Sequence, residues 1–505
     1  MGTCPKLSGR LTVPGLLSLL LILMQPSSGI AQQGGSRGAV PPSPALEEEV
    51  AQYVTVNASV FALTHVRVID GTGAAAREDQ TILVDHGVIQ QVGPSTAIKL
   101  PAGVLELDRS GQTVLPGLVG MHDHLFYTAP MVRNEKGKLP PPGYVQVELP
   151  FTAPHLYLAA GVTTIRTTGS ISPDSDMSIK RMVDSGRMPG PHILPTAPYL
   201  DGPDEILAFY PLVDADDARR RVAFYAADGF TSWKLYMKIT RAEAAAVISE
   251  AHHRGMKVTG HLCSLTWHEA IALGIDNLEH GPVYSATDLV PGKLPDSCPD
   301  GREASWEGVE IGDPRVQGLI QDLIQHGVAV TSTLPVFEAS LTNKPPSTRV
   351  LQAMAADSKI SFLNSRSRMT PELNIRWTAA LRKEMQFEHA FASAGGMLLA
   401  GPDPTGNGGV LPGYGDWREL ELLVEDGFTP IQAIHIATAN GAAFLGESSH
   451  FGTVESGKRA DLIVVDGDPS RSMEDIEKTV LVFKDGVGYD SRRLFDSVRG
   501  LVGIK

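Results

Sequence analysis

Eight short apolar runs of strand character recur through the middle of the chain, and stretches of helical character separate them. The runs are "GLVGMHDHL", "VTTIRTTG", "HILPTAPYL", "FTSWKLYM", "MKVTGHL", "DNLEHG", "GVAVTSTLP" and "GMLLAGPD". Between them lie amphipathic stretches at Asp214 to Asp228, Arg241 to Gly255 and Arg376 to Gly395. Near-continuous apolar runs fit parallel strands covered on both faces, and parallel strands need crossover helices. Eight such units predict an α/β chain built on a (β/α)8 TIM barrel. A length of 505 residues, 42% hydrophobic and 20% charged, is ample for a core of that size. Barrel chemistry sits where the strands end, so the last residues of each run carry the functional reading.

The two ends of the chain have another character. From Phe61 come "FALTHVRVID", "TILVDHGVIQQVG" with an Asp85-His86-Gly87 turn, and "GVLELD"; far downstream come "GTVESGKRADLIVVDGDP" and "TVLVFKDGVGYD". These read as strands joined by hairpins. Residues 51–115 and 446–505 are therefore expected to form one small β-sandwich, with the barrel at 116–445 inserted between them. Residues 32–50, rich in Gln, Gly, Ser and Pro and then acidic, read as a flexible linker. Residues 1–31 read as a signal peptide: Lys6 and Arg10 precede an apolar run from Leu11 to Met24, and Gly29-Ile30-Ala31 offers a cleavage point. An exported protein with no stable membrane anchor is expected, because that run is shorter than a spanning helix. A formal net charge of −14 argues against a nucleic-acid partner. Of three cysteines, Cys263 and Cys298 would remain after cleavage. They could pair in an exported protein, but nothing in the sequence forces it.

The strand ends gather metal-ligand residue types. The first run closes on His122-Asp123-His124, and alternation of strand side chains puts His122 and His124 on one face. In the fourth run Lys234, Tyr236 and Lys238 share the inward face. A lysine inside a barrel is costly as an ammonium. A neutral amine there could instead take up carbon dioxide and become an anionic carbamate that bridges two cations. Lys238 suits a rim ion pair better. The fifth run ends at His261, the sixth at His280, and the eighth at Asp403. Each has a bland reading alone; together they predict a metal site. Cys263 shares the parity of His261 and reads as a soft ligand or, more commonly, a small buried filler.

"VLPGLVGMHDHL", "GVTTIR" and "SGKRADLIVVDGDP" resemble the amidohydrolase superfamily, across nearly all of the chain after the signal segment. "WKLY", "GHL", "LEHG" and "ELELLVEDGFTPIQAIHIATANGAAFLG" are most similar to its imidazolonepropionase-like branch, which includes prolidase-type dipeptidases and ochratoxin hydrolases. Two segments depart from the pattern: "RTTG" where an Asp often follows the Arg, and "GPDPTG" where "GTD" is usual. The resemblance implies His122, His124 and Asp403 on one zinc ion, His261 and His280 on a second, and N6-carboxylated Lys234 between them. It implies a small-molecule amide substrate, a dipeptide or N-acyl amino acid or ochratoxin-like compound, cut through a metal-bridging hydroxide. Asp403 would then act as base and acid, while Tyr236 either donates to the oxyanion or merely fills the barrel. A homo-oligomer is expected.

Two rival readings share this barrel. A mononuclear deaminase leaves Lys234 without a role, and "HLCSLT" offers no Glu soon after His261; a cyclic-amide hydrolase is the alternative beside it. A non-catalytic solute binder would not need Asp403. Long loops at Phe126 to Gln146, Pro282 to Asp313 and Phe337 to Ile375 are expected over the mouth. Arg133, Arg349, Arg366 and Arg368 on them are candidates to clamp a carboxylate.

Overall fold

A computed structural model describes residues 46–130, 144–202 and 211–504, which belong to one compact unit. The expected signal peptide and most of the expected linker lie outside the described residues. At the linker's end, Glu48–Ala51 forms a helical turn that buries Val50 against the sheet domain.

All eight apolar runs become strands: Leu118–Asp123, Val162–Thr167, His192–Pro195, Ser232–Leu235, Lys257–Gly260, Asn277–Glu279, Ala329–Ser332 and Leu398–Ala400. The first three pair in parallel as a 3-stranded sheet, and the last five pair in parallel, in chain order, as a 5-stranded sheet. Parallel bridges Thr196–Ser232 and Leu200–Leu235 carry the third strand onto the fourth. Beyond the eighth strand, the Asp403 amide donates to the His122 carbonyl at 3.0 Å. Arg166 on the second strand reaches across the interior, donating to Asn277 and Glu279 on the sixth, both at 2.8 Å.

The helices start where capping chemistry allows. Asp214 accepts from the Asp217 amide to open Ala215–Ala227, and a Thr240–Glu243 capping box opens Arg241–His253. The third expected helix runs instead over Pro371–Ser393. Thr370 caps it and Pro371 takes its first position, so it begins a turn ahead of the apolar pattern. Among the described residues no helix is long and apolar enough to cross a membrane.

Strands from both ends of the chain join in a nine-stranded mixed sheet, with the C-terminal strands inserted beside Thr113–Pro116. Phe61 stacks on Phe483 with ring centroids 4.9 Å apart, although two other strands separate theirs in the sheet order. In a flat sheet that separation would be about 14 Å. The sheet therefore curls round its own core, and the expected sandwich takes the form of one continuous hydrogen-bonded sheet. His192 at the start of the third strand lies 3.3 Å from Asp485 and 3.7 Å from Asp461, and so ties the barrel strand to this sheet.

Cys263 and Cys298 form a disulfide across 35 residues. Cys263 is thus neither a metal ligand nor a plain filler; it fastens the segment before Gly301 to the chain just beyond His261.

Carboxyl groups are buried away from the strand ends. Burial pushes Glu419 and Asp426 up to about 8, raises Glu384 and Glu388 well above the carboxylate range, and lifts Asp176 to about 7. These groups hold protons in the folded chain that the unfolded chain releases near pH 4. Folding stability is therefore greatest below pH 4–5 as far as these groups go, and is lost as pH rises through 7–8. The slope is about 1.4 kcal/mol per pH unit for each extra proton held. Calorimetry of metal-free protein should show Tm falling from pH 7 to 8, above the range in which the depressed His122, His155, His261 and His280 contribute the opposite slope. A Tm that climbs over that range would contradict the burial of these acids.

Candidate functional site

His122, His124, Lys234, Tyr236, His261, His280 and Asp403 all line one cavity of about 380 Å³ at the C-terminal ends of the parallel strands. Asp403 Oδ1 lies 3.2 Å from His124 Nε2 and 3.7 Å from His122 Nε2, and its Oδ2 lies 3.8 Å from His280 Nδ1. The rings of His122 and His280 are 4.6 Å apart, and those of His261 and His280 4.4 Å. His280 and Asp403 are held at φ 70° and 48°, the left-handed region that side chains other than glycine seldom adopt. Strain of this kind persists only where the surroundings enforce it.

The electrostatics favour ligation. Burial drives His122, His261 and His280 well below the ordinary imidazole value, and the Lys234 charge adds to this, so the rings are neutral with lone pairs free. Burial alone would raise Asp403, but His122 and His124 beside it hold its carboxyl well below the usual range. Burial pulls the Lys234 amine down to about 8, against the opposing pull of Glu279 and Asp403. His124 Nδ1, His261 Nε2 and Lys234 Nζ are buried with no hydrogen-bond partner. A buried orphan donor or acceptor costs about 1–3 kcal/mol, which a bound ion would relieve. Ligand atoms of His122, His280 and Asp403 lie within 4.8 Å of one another, so the residues present fit a divalent metal. His192, Asp461 and Asp485 are grouped as closely, but Arg459 and Lys484 already neutralise those carboxylates.

The sequence reading missed the residues that hold these ligands. Glu279 is fully buried and accepts from His122 Nδ1 at 2.7 Å, which leaves Nε2 for the cavity. Arg166 and Thr259 in turn donate to Glu279. The Thr333 hydroxyl lies 2.9 Å from His280 Nδ1, and Thr405 donates to Asp403 at 2.7 Å. Strand alternation carried the signal for two of them: Thr164 and Arg166, like Asn277 and Glu279, recur at the period of inward positions. Lys238 does not line the cavity. The arginines expected as clamps do not line it either: Arg349 pairs with Glu477 at 2.9 Å, Arg366 donates to the Lys344 carbonyl, and Arg368 is exposed. Arg133 lies outside the described residues. The expected loops carry structure of their own. Phe126–Pro130 and Tyr144–Glu148 pair as antiparallel strands, and 337–375 holds the helices Thr348–Ala353 and Ala356–Arg366.

The sequence profile of the amidohydrolase family matches residues 113–487. The chain belongs to the amidohydrolase family. It is a metal-dependent hydrolase acting on carbon–nitrogen bonds, with a TIM-barrel-type α/β fold and a sheet domain. A dihydroorotase from Thermoanaerobacter sp. (strain X514) is 31% identical over 112 residues, 22% of this chain and 22% of that protein's length. Among solved structures, a Xaa-Pro dipeptidase with methionine bound in the active site superposes with a TM-score of 0.63 at 21% identity, over 86% of this chain and 100% of the other. The A. niger ochratoxinase does so with a TM-score of 0.60 at 16% identity, over 85% and 95%.

Proposed function

We propose that this amidohydrolase is a binuclear zinc enzyme that cuts the amide bond of a dipeptide or an N-acyl amino acid. The observation that carries the reading is the convergence of four imidazoles, Lys234 and Asp403 on one cavity where the strands end. In this reading the eight strands close into a (β/α)8 barrel. His122, His124 and Asp403 would hold one ion and His261 and His280 the other, with N6-carboxylated Lys234 as a ligand they would share. Bound there, the metal ions would polarise the substrate carbonyl and lower the pKa of water.

The side chains do the rest. Asp403, ionised and 3.2 Å from His124 Nε2, takes the proton of the attacking water and passes it to the departing amine. Tyr236 lines the cavity beside His261, with ring centroids 5.1 Å apart, and donates its hydroxyl to the oxygen that gains charge. Glu279 keeps His122 in one tautomer throughout.

The substrate class draws on the dipeptidase and ochratoxinase that the chain resembles in fold. Export after cleavage near Ala31 is part of the same proposal, and the Cys263–Cys298 disulfide supports it, since such bonds persist in oxidising compartments. So are a homo-oligomer and the absence of a stable membrane anchor.

The test is a hydrolysis screen of the metal-loaded protein on free and blocked dipeptides and ochratoxin-like amides, with elemental analysis beside it. Two zinc ions per chain and turnover of at least one amide are expected. One ion per chain with release of ammonia from a nucleobase-type substrate would favour the mononuclear deaminase instead.

A further inference from the structure

The cavity has one wall of unusual build. Phe337 lines it, and behind Phe337 lies Tyr284, parallel within 2° and with ring centroids 3.4 Å apart. Trp377 lies near-parallel to Tyr284, tilted 11° from it with ring centroids 5.8 Å apart. One face of the Phe337 ring is therefore covered by Tyr284, and the opposite face is the one the cavity can use. On the metal side the ring stands 82° to His280 with centroids 6.0 Å apart.

The wall is also pinned. Phe337 belongs to the short helix Leu334–Glu338, whose first amide, from Leu334, donates to Glu419 at 3.0 Å. The next residue, Glu338, takes a two-pronged ion pair from Arg418, at 2.7 and 2.8 Å. A ring held in this way loses little freedom when another ring meets it. Phe126, Tyr144, Tyr199 and Tyr236 line the same cavity. Imidazoles apart, the charged side chains lining the cavity among the described residues are Lys234 and Asp403, both at the proposed metal floor.

We propose that Phe337, backed by Tyr284 and Trp377, is the specificity-determining surface of this site, and that it selects substrates carrying an uncharged aromatic ring beside the scissile amide. The proposal rests on the amidohydrolase reading above and deepens it. A substrate ring on the open face of Phe337 extends the stack that Phe337 already makes with Tyr284. Offset or edge contacts between rings add to the area they bury. A charged side chain in the same place would lose water and find no partner there among the described residues.

The experiment compares Phe-Ala with Leu-Ala and Ala-Phe with Ala-Leu as substrates of the zinc-loaded protein. Alongside it, calorimetry measures binding of free L-phenylalanine and L-leucine. In one of the two peptide pairs the phenylalanine member should have kcat/KM higher by about tenfold or more. In Phe337→Leu that ratio should fall to within about threefold, and Phe337→Tyr should keep it. Partial misfolding or metal loss lowers both members alike and leaves the ratio where it was, so the ratio reports the wall. Equal kcat/KM for both members in the wild type, or an unchanged ratio in Phe337→Leu, overturns the proposal. Should neither peptide be cut, tighter binding of phenylalanine that Phe337→Leu abolishes supports the wall and counts against the amidase reading. Equal binding of the two amino acids overturns the wall as well.

Discussion

Lys234→Ala is expected to lose metal and turnover together, with activity down at least about 100-fold, beyond what loss of an outer-shell partner costs. The Lys234 amine is buried with no hydrogen-bond partner. With its pKa pulled down to about 8, roughly one amine in ten is neutral at pH 7. For an ordinary lysine the fraction is on the order of one in 2,500. In the proposed carboxylation the neutral amine would attack carbon dioxide: a nitrogen–carbon bond would form, a proton would leave, and the product would carry a carboxylate where an ammonium stood. That carboxylate can serve two cations at once, which alanine cannot. Elemental analysis of the variant should show less than the wild-type metal content. Added acetate or formate with zinc should restore part of the activity, because a free carboxylate can occupy the emptied space. A Lys234→Ala variant with full metal and normal turnover would remove the bridging role. Lys238→Ala, which alters a residue outside the cavity lining, serves as the comparison.

The sequence made the ligand positions legible because each falls at the end of an apolar run, where a barrel collects its chemistry. His122 and His124 could be paired from alternation alone, and all the proposed ligands share one cavity. The supports were harder to read. Glu279 sits beside His280 and looks like part of the same short motif. Its function depends on His122, 157 residues away in sequence. Arg166 resembles an ordinary strand residue until its partners on the sixth strand are seen. The disulfide was beyond reach for a similar reason: pairing of Cys263 with Cys298 depends on how the intervening segment folds back. The specificity wall was hidden most deeply. Tyr284, Phe337 and Trp377 come from three separate segments, and no local pattern shows that their planes align. The curl of the sheet domain follows from packing of Phe61 on Phe483, which neither strand's sequence reveals.

Asp403→Asn separates the two roles proposed for that residue. The amide oxygen can still coordinate, so the variant should retain much of its metal. It cannot accept a proton, so turnover should collapse. General acid–base groups contribute about 10²–10⁴-fold, and a loss in or beyond that range is expected. The position makes the substitution a sharp one. Asp403 is fixed at φ 48°, tied through its amide to the His122 carbonyl and through its carboxylate to Thr405. Asparagine tolerates the left-handed backbone about as well as aspartate, so the fold should survive. The Thr405 hydroxyl can also still donate to the amide oxygen at its present 2.7 Å. Only the proton-accepting function is removed. Single-turnover kinetics and metal content measured on the same preparation decide the matter. A variant within severalfold of wild type would show that another group moves the proton and that Asp403 serves the metal alone.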